Sequence, residues 1–332
     1  MRYRFSFKSY RRALRLPLRT AHGAWTEREG IFVRLEREDG QVGFGEIAPL
    51  SWFGTETLAE AGEICRKLGD EVTDELLDGI ETRFGCVRFA LAAARAPNLA
   101  PASPERRLPV AALLPAGRAA LQVLPDKLAA GYLGLKWKVG VERAEDELVL
   151  LDDLLAMLPA YVRLRLDANG AWDRRTAERW LAACAERPVE FVEQPAAADD
   201  DDLLLGLAED FPVTLALDES VTGLSAAREW QERGWRGVFV LKPALAGPLD
   251  EMTTWITTTK PDVVFSSAIE TALGRAQVLR AIFSADLTQR ALGFGVGDVF
   301  GDWQWDGPPL GPLLDATWGD GVNPEALWNA VN

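Results

Sequence analysis

Two rhythms of apolar and polar positions divide the chain. Over the first hundred residues the rhythm is mixed. MRYRFSFKSYRRALRL alternates basic and apolar positions, as a strand does when one face meets a core. Ile31, Val33 and Leu35 alternate with polar neighbours, Asp39-Gly40 intervenes, and Val42, Phe44 and Glu46 alternate in turn. Asp-Gly between two alternating runs predicts a hairpin whose two turn residues both take positive φ. Leu58, Ala61, Cys65 and Leu68 fall at helical spacing with Gly69 as a stop, and a further helix is expected from about Ile80 to Ala94. The Pro/Ala-rich stretch PNLAPASPERRLP then reads as a linker.

From Pro109 onward short apolar runs alternate with amphipathic helices. The strand candidates are VAALL near Val110, LGLK near Leu135, VRLRLD near Leu164, VEFVE near Phe191, VTLALD near Leu215, GVFVLK near Val240, DVVFSS near Val264 and RALGFG near Leu292. Leu148, Leu151, Leu155 and Leu158 mark one of the helices between them. The acidic run Asp199 to Asp202 reads as a helix N-terminus, where the dipole favours negative charge. Strands alternating with helices in this way indicate an α/β barrel, with a doubly wound sheet as the second choice.

Bulk properties narrow the function. The chain has 332 residues, 48% hydrophobic and 26% charged, enough for about two globular domains. No run approaches the ~20 apolar residues that span a bilayer, and the N-terminus lacks a signal-peptide pattern, so a cytoplasmic protein is expected. The net charge of −14 argues against nucleic acid or an anionic membrane as partner. A small anionic substrate stays open, because a metal and local lysines reverse the sign inside one pocket. Monomer and homodimer are equally open. Cys65, Cys86 and Cys184 are odd in number, form no CxxC, and read as buried thiols. His22 is the single histidine, which excludes a multi-histidine zinc site and any triad with a barrel histidine as base. Proton transfer then falls to lysine or a carboxylate.

The strand ends carry the candidates. Lys138, Asp167, Glu193, Asp218, Lys242 and Ser266 each stand at the C-terminal end of a strand candidate, one βα unit apart. In a closed barrel those ends share one face, where such folds build active sites. Any one of them alone would read as a solvated turn or cap; five charges in register argue otherwise. Asp167, Glu193 and Asp218 on adjacent strands make a hard-oxygen site whose mutual repulsion a divalent cation resolves, Mg²⁺ first and Mn²⁺ second. Asn169 and Glu219 are auxiliary candidates, or plain loop residues. Lys136 and Lys138, two apart in a strand, project to the same face while Trp137 points away. Their proximity is expected to push one pKa down toward a value useful for a base. Lys242 comes from the opposite wall, held extended by Pro243. Lysines flanking a metal suit abstraction of a proton α to a carboxylate.

These residues lie in motifs that match a known family. GLKWKVG, RLDANGAW, FVEQP, LALDES and VLKP together resemble the lysine and metal-ligand motifs of the muconate-lactonising subgroup of the enolase superfamily, over nearly the whole chain. FSSAIETALG and PLSWFGTETL tilt the resemblance toward its o-succinylbenzoate synthases, and ALGFGVGDVF lacks the Asp-x-Asp of dipeptide epimerases. FVEQP departs in one respect: Gln194 stands where relatives are often acidic. The resemblance implies a modified TIM barrel, (β/α)7β, over 106–315, an N-terminal α+β capping domain over 1–105, and a tail, 316–332, returning to the cap. It implies Mg²⁺-dependent dehydration of 2-succinyl-6-hydroxy-2,4-cyclohexadiene-1-carboxylate, by a carbon–oxygen lyase of menaquinone or phylloquinone synthesis. Lys138 would act as base and acid, Lys136 as its partner, and Lys242 as a cation over the ring. Ser266, Ser267 and Gly293 would meet substrate, Gly293 by close backbone approach to a carboxylate. Cap residues His22, Ser51, Trp52 and Phe53 would meet the succinyl tail, with plain packing as the alternative. An N-succinylamino acid racemase would need the same five charged residues; a non-catalytic binding barrel is the alternative of another class.

Overall fold

The computed structural model describes residues 1–20, 23–96, 105–285, 287, 290–297 and 299–331. His22 and most of the expected linker, residues 97–104, lie outside them. The first strand, β1 (Arg2–Thr20), pairs antiparallel with β2 (Gly23–Arg37) in the register Phe5 to Leu35 and Phe7 to Val33. β3 (Val42–Ile47) and β4 (Glu71–Thr73) complete a four-stranded sheet in the order β3-β2-β1-β4. The alternation is not one-sided at its centre: Phe32 is as buried as Ile31 and Val33. The Asp39-Gly40 hairpin is present with a different turn. Only Gly40 has positive φ, 83°. Because Glu36 pairs with Val42, the connection is longer than two residues, and one left-handed residue suffices to close it.

The helix Leu58–Leu68 starts at a capping box, in which Thr57 accepts from Glu60 N and the Glu60 side chain accepts from Thr57 N. The next long helix is Gly85–Arg95 rather than about 80 to 94, after a short helix Asp74–Asp78. It begins where the chain meets barrel backbone: a Cβ on Gly85 would lie 2.1 Å from Leu245 O.

All eight strand candidates of the second half form strands. They are β5 (Arg107–Leu114), β6 (Gly134–Lys138), β7 (Arg163–Asp167), β8 (Val189–Glu193), β9 (Leu215–Leu217), β10 (Val238–Leu241), β11 (Val263–Phe265) and β12 (Leu292–Gly295). Every pairing is parallel and β5 to β11 are neighbours in sequence order, with β12 beside β5. The bridge between Ser266 and Gly293 joins the two ends of the sheet. A doubly wound sheet would reverse its strand order at a switch point; this one does not. Seven strands are followed by helices, among them Ala144–Met157 and Asp201–Asp210, the latter capped by Asp200 accepting from Leu203 N. After β12 come the short helix Trp303–Asp306, β13 (Leu313–Asp315), which pairs antiparallel with β5, a 3-10 turn Trp318–Gly321 and the short helix Pro324–Asn329. Among the described residues no helix is long and apolar enough to cross a membrane.

The barrel interior is filled by Phe191, Ala216, Val238, Val240 and Val264, with the Arg165 guanidinium 4.9 Å from the Phe191 ring. Closure depends on a missing side chain. A Cβ on Gly295 would lie 2.1 Å from Ala111 O, a backbone atom with nowhere to go. Gly295→Ala is therefore expected to lower stability by roughly 2–4 kcal/mol, an overpacking cost with added backbone shift. A urea titration checks this, and an unchanged midpoint would mean the strands part freely there.

Cap and barrel are joined by buried polar contacts. Glu46, at 0% exposure, accepts from Tyr10 OH (2.6 Å), Thr271 Oγ1 (2.6 Å), Thr271 N (2.9 Å) and Gly274 N (2.9 Å). A cap carboxylate thus takes up N–H groups at the start of the barrel helix Ala272–Ala285. In the same cross-strand row as Glu46, Lys8 Nζ donates to Trp328 O (3.2 Å) and Val331 O (2.6 Å), and Trp328 packs 6.0 Å from the Phe44 ring.

Candidate active site

The strand ends converge as the alternation requires. In β6 the residues Lys136 and Lys138 face one way and Trp137, fully buried, the other. Register pairs Lys138 with Asp167 and Asp167 with Glu193. Asp218 and Lys242 follow β9 and β10 directly. All six charged side chains line one cavity of about 480 Å³. Larger clefts exist, about 790 Å³ beside the helix Gly85–Arg95 and about 880 Å³ at the opposite mouth of the barrel. In the second, Arg165 and Arg290 are held by Glu190 and Asp262; neither cleft gathers lysines and carboxylates from successive strand ends.

Charge is unevenly matched here. Lys136 Nζ bridges Asp167 Oδ2 (2.7 Å) and Glu193 Oε1 (2.8 Å). Lys242 Nζ pairs with Asp218 Oδ1 and lies 4.0 Å from the Phe53 ring centroid. Among the described residues Lys138 Nζ has no ion-pair or hydrogen-bond partner. Glu219 adds a fourth carboxylate, taking a hydrogen bond from Asn169 Nδ2 (3.2 Å) while its Oε2 is buried without a partner. Burial, then Asp167 and Asp218, push Glu193 up to about 8 against the pull of Lys136. Burial, then Asp218 and Asp167, push Glu219 up to about 7. Burial draws Lys136 down, but Asp167, Glu193 and Asp218 outweigh it and hold its ammonium well above the usual range. All three shifts have one origin, excess negative charge taken out of water. The ammonium of Lys136 meets carboxylates from the next two strands rather than its neighbouring lysine.

An oxygen-rich site that would otherwise bind protons, with an orphaned carboxylate oxygen, fits a hard divalent cation. Asp167, Glu193 and Asp218, with Glu219 and Asn169 beside them, are the residues present to hold one. No three acidic, histidine or cysteine side chains among the described residues are already drawn onto one point; the ammonium of Lys136 stands between Asp167 and Glu193.

The remaining candidates divide. Trp52 and Phe53 line the cavity, and Ser51 is exposed and does not. Ser266 lines it and donates to Gly293 O (3.2 Å). Ser267 also borders it, but its hydroxyl is turned to Glu270 (3.0 Å). Gly293 is close-packed for barrel closure: a Cβ there would meet Ser266 Oγ at 2.8 Å. Trp25 and Leu50 line the cavity as well; Leu50 belongs to the PLSWFGTETL motif, whereas Trp25 stands outside every motif quoted above. Gln194 was noted only as a departure from relatives. It is fully buried at φ 39°, accepts from Asp218 N (3.0 Å) and Ser220 N (3.2 Å), and donates to Ser220 Oγ (2.8 Å). It thereby fixes the segment carrying Asp218 to the one carrying Glu193, a role that needs an amide's donor and acceptor together.

Barrel and site define an enzyme of the enolase superfamily. Residues 120–258 match the family described as enolase C-terminal domain-like, and residues 9–97 match the MenC N-terminal domain. The o-succinylbenzoate synthase of Thermosynechococcus vestitus is 39% identical over 99% of this chain and 99% of its own length. That of Edwardsiella ictaluri is 33% identical over 76% of this chain and 78% of its own. The chain belongs to the o-succinylbenzoate synthase family, hydro-lyases of that superfamily. A solved structure of o-succinylbenzoate synthase from Thermosynechococcus elongatus BP-1, complexed with Mg in the active site, superposes with a TM-score of 0.86 at 38% identity, covering 99% of this chain and 100% of that one. The L-Ala-D/L-Glu epimerase of Bacillus subtilis shares the fold, with a TM-score of 0.79 at 20% identity over 94% of this chain and 95% of that one.

Proposed function

We propose that this chain dehydrates 2-succinyl-6-hydroxy-2,4-cyclohexadiene-1-carboxylate to 2-succinylbenzoate, in menaquinone or phylloquinone synthesis, with Mg²⁺ held by Asp167, Glu193 and Asp218. Mn²⁺ suits the same oxygen donors. Residues 1–105 act as the cap, 106–315 as the barrel and 316–332 as a tail on the cap. The observation that carries the reading is the different pairing of the three lysines: Lys136 and Lys242 are held by carboxylates, and Lys138, among the described residues, faces the cavity with no ion-pair or hydrogen-bond partner.

A metal ion held by Asp167, Glu193 and Asp218 would supply positive charge to the substrate carboxylate and so make the neighbouring proton easier to remove. Lys138 Nζ takes the proton α to that carboxylate. The same ammonium then returns the proton to the departing hydroxyl on the neighbouring carbon, so that water leaves and the ring becomes aromatic. Lys136, fixed between Asp167 and Glu193, keeps a positive charge beside Lys138. Lys242 stands four strands away in a ring of eight, on the opposite wall. Its ammonium, bound to Asp218 and covered by the Phe53 ring, acts as a fixed cation toward the substrate ring. A racemase would need Lys242 to deliver a proton to the opposite face.

The test is kcat/KM with Mg²⁺ for the cyclohexadiene, N-succinylamino acids and dipeptides side by side. Aromatisation, followed by ultraviolet absorbance, is expected to be fastest. N-succinylamino acids should exchange the α-proton for deuterium slowly and dipeptides not at all. Faster racemisation than dehydration would leave the superfamily standing and overturn the function.

A further inference from the structure

One wall of the cavity is held in a conformation its residue does not favour. Ile269, in the loop after β11, lines the cavity and sits at φ 58°. A β-branched residue in the left-handed region is an outlier, because its Cβ crowds a backbone carbonyl. Such strain persists where the surroundings over-determine it. Within the loop, Ile269 N donates to Ser267 Oγ (3.0 Å) and Ala268 N to Glu270 Oε2 (2.6 Å). From the cap comes Arg28, in β2 and 2% exposed. Its five N–H groups meet five backbone carbonyls. Nε donates to Ile269 O (3.0 Å), Nη1 to Glu29 O (2.9 Å) and Pro49 O (2.8 Å), and Nη2 to Ala268 O (3.5 Å) and to Ala48 O. Ala48 and Pro49 lead directly into Leu50, Trp52 and Phe53 of the cavity lining. One guanidinium therefore ties the cap loop that enters the site to the strained loop facing it, and Glu46 fixes the residues that follow.

We infer that Ile269 is a specificity-determining residue of this site and that Arg28 is the positioning residue that keeps it there. With Trp25, Leu50 and Trp52, Ile269 makes an apolar wall that accepts methylene and ring carbons and opposes a charged substituent such as a free ammonium. This rests on the proposed function, since it takes the cavity as the substrate site.

The experiment compares Ile269→Gly, Ile269→Ala, Arg28→Lys and the double variant Arg28→Lys/Ile269→Gly, loaded with Mg²⁺. Ile269→Gly is expected to raise KM for the cyclohexadiene by about tenfold, the scale of lost apolar contact in a pocket, with kcat within about threefold. It should melt above Ile269→Ala, because glycine adopts φ 58° without strain and alanine does not. Arg28→Lys should raise KM severalfold at nearly constant kcat, and should add little to Ile269→Gly, because the wall it holds is already gone. KM unchanged in Ile269→Gly, or independent multiplication of the two effects, would overturn the inference, as would an alanine variant melting above the glycine one. A wild-type enzyme that does not dehydrate the cyclohexadiene would instead sink the proposed function. The inference would then be read from calorimetric binding of 2-succinylbenzoate by the same variants, which needs no turnover; absence of binding by the wild type overturns both.

Discussion

Lys138→Ala is expected to reduce kcat by about 10²–10⁴-fold, the usual worth of a positioned acid–base group, with little change in stability or metal affinity. The reason for the split is local. Lys138 Nζ has no partner among the described residues, so its removal strands no buried charge. Lys136→Ala would differ, because Asp167 and Glu193 would lose their shared ammonium, and breaking a buried pair costs about 3–5 kcal/mol. Lys138→Arg should not restore turnover, since a guanidinium stays protonated. Ultraviolet absorbance gives the rate, and calorimetry with Mg²⁺ the metal affinity. A Lys138→Ala enzyme turning over at near the wild-type rate would place the base elsewhere.

Removal of the metal should be as costly. Excess chelator is expected to abolish turnover, and added Mg²⁺ or Mn²⁺ to restore it. Binding should also be visible without substrate. A cation held at a hundred times its Kd stabilises by about 2.7 kcal/mol, so the melting temperature should rise on titration with Mg²⁺. Asp167→Asn, Glu193→Gln and Asp218→Asn should each flatten that rise. Full activity in the chelated protein would remove the metal from the proposal.

The eight barrel strands were legible as apolar runs alternating with helix patterns, and five of them in succession, β6 to β10, close on a charge. Glu71–Thr73 and Leu313–Asp315 lie outside that repeat and became strands because a neighbour was present to pair with them. The helix from Gly85 begins late for a tertiary reason, the approach of Leu245, which local propensity does not contain. The lysines and carboxylates that line the cavity stand out by residue type. Residues that act by register do not. Gln194 matters because β8 and β9 place it under Asp218 N. Arg28 looks in sequence like Arg34, six residues on in the same strand, yet Arg34 is half-buried and paired with Glu36 while Arg28 is enclosed by carbonyls. Lys136 is a further case: the sequence places Lys138 two positions on, but not the carboxylates that the next strands bring to it.

The joint between cap and barrel also sets an order of events in synthesis. Glu46 and Thr271 are 225 residues apart, and Arg28 and Ile269 are 241 apart. At roughly 5–20 residues per second, Glu46 leaves the ribosome about 10 to 45 s before its partner. For that interval the nascent cap supplies Tyr10 to the Glu46 carboxylate and the Glu29, Ala48 and Pro49 carbonyls to the Arg28 guanidinium, while the N–H groups of Thr271 and Gly274 and the carbonyls of Ala268 and Ile269 do not yet exist. Its sheet can pair and Arg28 can hold Ala48 and Pro49, but the facing loop that carries Ile269 is still missing. The substrate-binding wall is therefore among the last parts of the molecule to take its final shape, and a chain arrested before residue 271 would present the apolar face of the loop from Ala48 to Phe53 to whatever chaperone or aggregate it met first.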